Sequence, residues 1–288
     1  MGTGPFFSFG EKRHYPEIKT LRDLLPAGKT IVAPGATDAL SARLVEAAGF
    51  ECVYIGSYAT AASRFGLPDT GLLSLDDLVD QARSIVNAVQ VPVIADAEGG
   101  FNEPANMWRT VQAFEQAGVA AIHIEDHTGT GKHTDTPQTL RPAAEAAARI
   151  RAAVEARRDP DFLIVARSDA IWLSGDLEDC AGRLQAYAEA GADLVFPTLA
   201  DPAQLAEIRR RTGKPAMVVD MPGRPLADHK DAAIVLYYGF SVLTQYGALK
   251  AALERFKTSG TLPDTSFKEL EDFLGYADFA ARAAKYTK

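Results

Sequence analysis

EQAGVAAIHIED, residues 115–126, decides how this chain is read. It begins as the end of a helix, passes through Ala-Gly, where glycine takes the left-handed turn that closes helices, and runs at once into apolar, β-prone residues. Two other segments are built alike, EAAGFECVYIG (46–56) and EAGADLVFP (189–197). Each is the helix-to-strand junction of a repeating βα unit. Reading outward gives eight strand candidates: TIVAPG (30–35), CVYIGS (52–57), VPVIADAE (91–98), AAIHIED (120–126), FLIVARSD (162–169), ADLVFP (192–197), PAMVVD (215–220) and AAIVLYY (232–238). Between them lie amphipathic helix candidates such as 73–89 and 141–158. Strands alternating with helices predict an α/β chain folded as a parallel (β/α)8 TIM-type barrel, with a doubly wound sheet as the structural alternative.

The barrel is expected over about 28–257, followed from about 259 to 288 by a turn and extra C-terminal helices, so that residues 1–288 form a single domain. At 288 residues and 47% hydrophobic composition the chain has the means to fill a large core. A net charge of -8 argues against nucleic-acid and anionic-membrane partners, which call for a basic field. No apolar run of roughly 18 or more residues appears, and the start MGTGPFFSFGEKRHYPE lacks the pattern of a signal peptide, so a cytoplasmic location is expected. Cys52 and Cys180 have neither metal nor disulfide-framework spacing, and are expected to be core packing.

In such a barrel the carboxyl ends of the strands build the site. Strand 2 ends at Gly56 and Ser57, strand 3 at Asp96 and Glu98, strand 4 at Glu125 and Asp126, strand 5 at Arg167, Ser168 and Asp169, and strand 7 at Asp220. Asp96 and Glu98 are two apart and face the same way, and Glu125 ends the next strand. Three carboxylates that close repel unless a cation joins them, and hard oxygen donors favour Mg2+ or Mn2+. Arg167 either clamps a substrate carboxylate or pairs with a neighbouring acid. His123 alternates with Glu125 and points into the barrel, where hydrogen bonding suits it better than Mg2+ ligation.

The segments 34–78, VIADAEGGF (93–101), IHIED (122–126), DPDFLIVARSDA (159–170) and EAGADLVFP together resemble the isocitrate lyase and phosphoenolpyruvate mutase superfamily. They are most similar to the short-chain branch of methylisocitrate lyase and oxaloacetate decarboxylase-like proteins. That resemblance implies a (β/α)8 barrel, Mg2+, a small anionic 2-oxo or 2-hydroxy acid substrate, and a homotetramer, a dimer of dimers that exchanges C-terminal helices. It implies metal binding by Asp96, Glu98 and Glu125, with Glu98 standing where an aspartate is usual. It also implies a substrate carboxylate on Arg167, a substrate-binding turn at Gly56 and Ser57, and an acid near a gating loop at Asp69. Tyr54 and His127 complete the candidate substrate contacts; His127 stands where glutamine is common.

The chain also departs from the lyase pattern. The loop TGTGKHTD (128–135) has no cysteine, and His133 stands at the cysteine position, with Lys132 before it. These two are the candidate acid-base groups. Thr198 replaces a glutamate, and Val219 and Asp220 replace polar substrate contacts. The expected activity is a Mg2+-dependent carbon-carbon lyase or decarboxylase acting on a 2-oxo or 2-hydroxy dicarboxylate of the oxaloacetate or substituted malate type. Phosphonopyruvate or phosphoenolpyruvate chemistry and a non-catalytic metabolite-binding barrel are the alternatives.

Overall fold

The computed structural model describes residues 20–128, 134, 138–219, 225–261 and 266–287. All eight expected strands form: β1 (Ile31–Pro34), β2 (Val53–Ile55), β3 (Val93–Asp96), β4 (Ala121–Glu125), β5 (Leu163–Ser168), β6 (Leu194–Pro197), β7 (Met217–Val219) and β8 (Ile234–Tyr237). Neighbours pair in parallel, β2 through β6 in order and β7 with β8 with β1. Parallel bridges Gly35–Tyr54 and Val195–Ala216 join the two sets and close the cylinder. Gly35 is required at this seam, because a Cβ there would collide with the Tyr238 backbone.

The glycines that mark the repeat behave as their position demands. Gly49, Gly118 and Gly191 have φ of 90°, 85° and 105°, the left-handed region where a side chain is strained. The connecting helices carry apolar stripes at helical spacing. In Leu75–Val86, for example, Leu75, Leu78, Val79, Ala82 and Ile85 are buried, and Ser74 caps the helix start reciprocally with Asp77.

Period-two alternation along the strands divides the apolar residues into two cores. The inner one holds Ile31, Cys52, Tyr54, Ile94, Ala121, Leu163, Val165, Leu194, Phe196 and Met217, with Leu21 and Leu24 of the preceding short helix among them. The outer one holds Val53, Val93, Ile122, Ile124, Ile164, Ala166 and Val195 packed against helix residues such as Phe114 and Leu184. Both cysteines are free and buried, and burial pushes each thiol up to about 12.

The chain divides into two compact units, 19–244, which is the barrel, and one that contains 245–288. In the second, the helix begun at Phe240 runs on to Ser259, and Phe267–Leu274 and Tyr276–Tyr286 follow as the expected C-terminal helices. Among the described residues no helix is long and apolar enough to cross a membrane.

Candidate active site

The inward positions at the carboxyl ends of β3, β4 and β5 carry Asp96, Glu125 and Arg167, by the same alternation that fills the interior below them with apolar side chains. One oxygen from each of Asp96, Glu98 and Glu125 lies within 4.8 Å of the others. Asp96 and Glu125 are buried and Glu98 is half-buried. Ser57 at the start of the helix after β2 donates its hydroxyl to Asp96 Oδ2 (3.1 Å), and the Glu98 amide donates to Asp96 Oδ1 (2.8 Å). Glu98 has φ of 49°, an uncommon backbone state for a non-glycine residue, and it is this turn that brings its carboxylate back beside the other two.

Arg167 closes the cluster on one side. Its Nη1 is 3.2 Å from Glu125 Oε2, and its Nε and Nη2 donate to the two oxygens of Asp169 at 2.7 and 3.0 Å. Thr198 accepts from Arg167 Nε (3.0 Å) and donates to Asp169 Oδ1 (2.6 Å), while the guanidinium lies 5.4 Å from the Phe196 ring centre. Burial works to lower the Arg167 pKa, but the carboxylates of Asp169 and Glu125 outweigh it and hold the group well above its ordinary value. Arg167 is therefore both salt-bridged and at the cavity wall. N–H groups on its two terminal nitrogens are left over for a carboxylate, since the guanidinium carries five.

His123 is fully buried and takes the structural role expected of it. Its Nε2 is 2.9 Å from the Tyr54 hydroxyl, and its Nδ1 is 3.6 Å from Asp96 Oδ1. Burial, and then the charge of Asp96, pushes the Tyr54 pKa well up, so the phenol keeps its proton.

The adjacent acids of the IED segment part company. Glu125 faces the cavity, but Asp126 points outward, where it accepts from the Asp169 amide (3.0 Å) and the Tyr187 hydroxyl (2.9 Å), with Arg183 Nη1 3.6 Å away. Successive residues point to opposite faces, so of these two acids Glu125 alone reaches the metal cluster. Burial raises the Asp126 pKa.

Tyr54, Gly56, Ser57, Asp69 and Arg167 all line one cavity of about 140 Å³ together with Asp96. His127 lines a neighbouring depression with Glu98, Glu125, Arg141 and Arg149, its Nε2 2.8 Å from Gln138 Oε1 and its ring stacked on Trp172 at 6.5 Å. His127–Thr128 pairs antiparallel with Thr139–Leu140, which pins both ends of the intervening loop beside the acids. Lys132, His133 and Asp220 lie outside the described residues. The cavity also takes in Tyr58, Trp172, Phe196, Leu199 and Tyr238, which sequence reasoning passed over. Inward parity on β6 and β8 was the available signal for Phe196 and Tyr238; Trp172 sits on a short helix whose approach is set only by the fold.

Fold and rim together define a closed (β/α)8 barrel with a site of hard oxygen donors, whose three converging carboxylates fit a divalent cation. The sequence profile of the family described as phosphoenolpyruvate phosphomutase matches residues 21–257, and the chain belongs to the phosphoenolpyruvate mutase and isocitrate lyase superfamily. Similar proteins include 2,3-dimethylmalate lyase of Eubacterium barkeri, 36% identical over 278 residues, covering 88% of this chain and 93% of the relative. Among solved structures, a phosphoenolpyruvate phosphomutase from Streptomyces platensis subsp. rosaceus matches with a TM-score of 0.86 at 30% identity, covering 93% of this chain and 98% of the other. A phosphonopyruvate hydrolase complexed with oxalate and Mg2+ matches with a TM-score of 0.83 at 29% identity, over the same shares.

Proposed function

We propose that this protein is a Mg2+-dependent carbon-carbon lyase or decarboxylase acting on a small 2-oxo or 2-hydroxy dicarboxylate of the oxaloacetate or substituted malate type. The observation that carries this reading is the convergence of Asp96, Glu98 and Glu125 beside Arg167, with Asp96 and Arg167 lining the cavity and Glu98 and Glu125 the neighbouring depression. The three acids would hold the ion, Mg2+ or Mn2+, and the bound cation supplies charge stabilisation for an oxygen that turns negative as a carbon-carbon bond breaks. Arg167, held in plane by Asp169 and Thr198, orients a substrate carboxylate, and Ser57 and the Gly56 backbone bound the same pocket. Ser57 and the Glu98 amide fix the orientation of Asp96, and Asp69 and His127 border the substrate from the sides.

The proton that the new carbanion carbon needs would come from His133 or Lys132. His133→Ala and Lys132→Ala separate these two: the variant that loses about 100-fold or more in kcat on oxaloacetate or a substituted malate carries the donor, and retention by both within about threefold removes the loop from the chemistry. The reaction class itself is tested by Mg2+-dependent pyruvate release from oxaloacetate and substituted malates. A phosphonate reading stays in view because solved neighbours named for phosphoenolpyruvate and phosphonopyruvate chemistry match over nearly their whole length. Phosphate release from phosphonopyruvate discriminates it.

The assembly we propose is a homotetramer that exchanges C-terminal helices. Large apolar side chains stand exposed there, Phe267 at 85% and Phe279 at 65%, with Leu249 and Leu253 exposed as well, and a second copy would cover them. Light scattering on the intact protein measures this directly. Two free buried thiols suit the reducing cytoplasm.

A further inference from the structure

The turn that carries Glu98 is built against the preference of its own backbone. Glu98, Gly100 and Phe101 all sit in the left-handed region, at φ of 49°, 91° and 59°, and two of the three carry side chains that disfavour it. Such a run persists only where the surrounding structure over-determines it. Here the carbonyl groups are what is held. Glu98 O accepts from the Glu125 amide (2.9 Å), and Gly100 O accepts from the Thr110 hydroxyl (2.6 Å) and the Asn102 amide (2.6 Å). Gly99 O (3.4 Å) and Asn102 O both accept from Nη1 of Arg149. Arg149 stands on the helix Ala143–Ala156, 50 residues beyond Gly99, and its side chain is only 3% exposed. Its Nη2 meets Glu103 Oε2 at 3.0 Å and Glu145 Oε1 at 3.4 Å. A buried guanidinium is costly to desolvate, and geometry explains its use: a rigid fork of donors reaches two carbonyls and two carboxylates at once, which a lysine does not.

Resting on the reading of Asp96, Glu98 and Glu125 as the cation site, we infer that Arg149 is a positioning residue for the ion: by clamping Gly99 and Asn102 it holds the 98–102 turn in the form that returns the Glu98 carboxylate to the other two. It acts through the backbone of the turn and not through its charge. Charge and geometry predict opposite signs. Arg149 lines the same depression as Glu98 and Glu125, so its positive charge taken alone opposes a cation there, and removing it would tighten ion binding. Loss of the clamp instead frees the turn to relax toward ordinary φ values, draws Glu98 off the cluster and weakens ion binding. Thr110, on the helix Met107–Ala117, contributes in the same direction through the Gly100 carbonyl.

The test measures Mn2+ and Mg2+ binding to the full-length protein by calorimetry in the absence of substrate, with free Mn2+ counted independently by electron paramagnetic resonance and folding followed by far-ultraviolet circular dichroism. Arg149→Gln removes the charge and leaves an amide too short to span both carbonyls; Arg149→Lys keeps the charge alone. The Mn2+ Kd is expected to rise about tenfold or more in the first and several-fold in the second, as when other groups that orient metal ligands are removed. Each effect is expected to shrink to within about twofold in a Glu98→Gln background, because the ligand through which Arg149 acts is gone. Tighter or unchanged Mn2+ binding by a folded Arg149→Gln protein overturns the inference, as does a loss of equal size with and without Glu98. If neither Arg149 variant folds, Thr110→Val decides by the same cycle: it should weaken Mn2+ binding only while Glu98 is present, and any other result overturns the inference. If the unaltered protein binds neither Mn2+ nor Mg2+, the cation reading falls and takes this inference with it.

Discussion

The rim of the barrel at β3, β4 and β5 and the rim at β6, β7 and β8 obey one geometric rule and carry opposite chemistry. On the first, inward strand-end positions are Asp96, Glu125 and Arg167, tied into a network by Ser57, Asp169 and Thr198. On the second, the lining is Phe196, Leu199, Val219 and Tyr238. A barrel of parallel strands places every alternate residue inward whatever its type, so the chemistry of each sector is chosen strand by strand. The charged sector is built from groups that restrain one another. The apolar sector is restrained by packing and by one strained leucine turn.

Removing charge from the first sector should have the largest consequence. Asp96→Asn is expected to cut kcat/KM by about a thousandfold and to raise the Mg2+ concentration needed for half-activity, with far-ultraviolet circular dichroism unchanged. An unaltered Mg2+ dependence in that variant would break the contrast between the sectors. Arg167→Lys comes next. The planar fork that meets both Asp169 oxygens is lost while the charge is kept, so a loss of about a hundredfold in kcat/KM is expected.

The smallest effect concerns the outward face of β4. Asp126 is buried and its pKa is raised, so the native state holds its proton more tightly than the unfolded chain does. Protons bound in excess by the native state mean that stability falls as pH rises from the ordinary carboxylate range through the raised native value. Asp126→Asn removes that component. The variant's urea midpoint should be less steeply dependent on pH in this window, and its stability near neutrality should shift by about 1–3 kcal/mol through the altered bonds to Tyr187 and the Asp169 amide. Activity should change less than in either rim variant, because Asp126 faces away from the cavity.

Much of this was legible in residue order. The Ala-Gly junctions located helix ends and strand starts, and the strand period of two was enough to turn Asp96 inward, whereas Glu98, past the strand end, reaches the cluster through its own turn. The same period separates Glu125, which turns inward, from Asp126, which turns outward. The Arg167 clamp on Asp169 was open to sequence reasoning as an ion pair, but its third member, Thr198, comes from the next strand, 31 residues from Arg167. The backward turn at Glu98 had no local signal, since a glutamate seldom adopts a positive φ.

By itself the sequence determined a string of eight βα units, which residue of each strand looks inward, and a concentration of acids at the strand ends, because periodicity and glycine caps act over a few residues. Which inward residues become neighbours was decided only by closure of the cylinder. The parallel bridges at Gly35–Tyr54 and Val195–Ala216 bring distant strands into register, and in the closed cylinder Tyr238 meets Tyr58 on the cavity that Asp96 and Arg167 also line. Such contacts join side chains far apart along the chain, and their positions follow from the tilt and register of the whole sheet, which no local pattern contains.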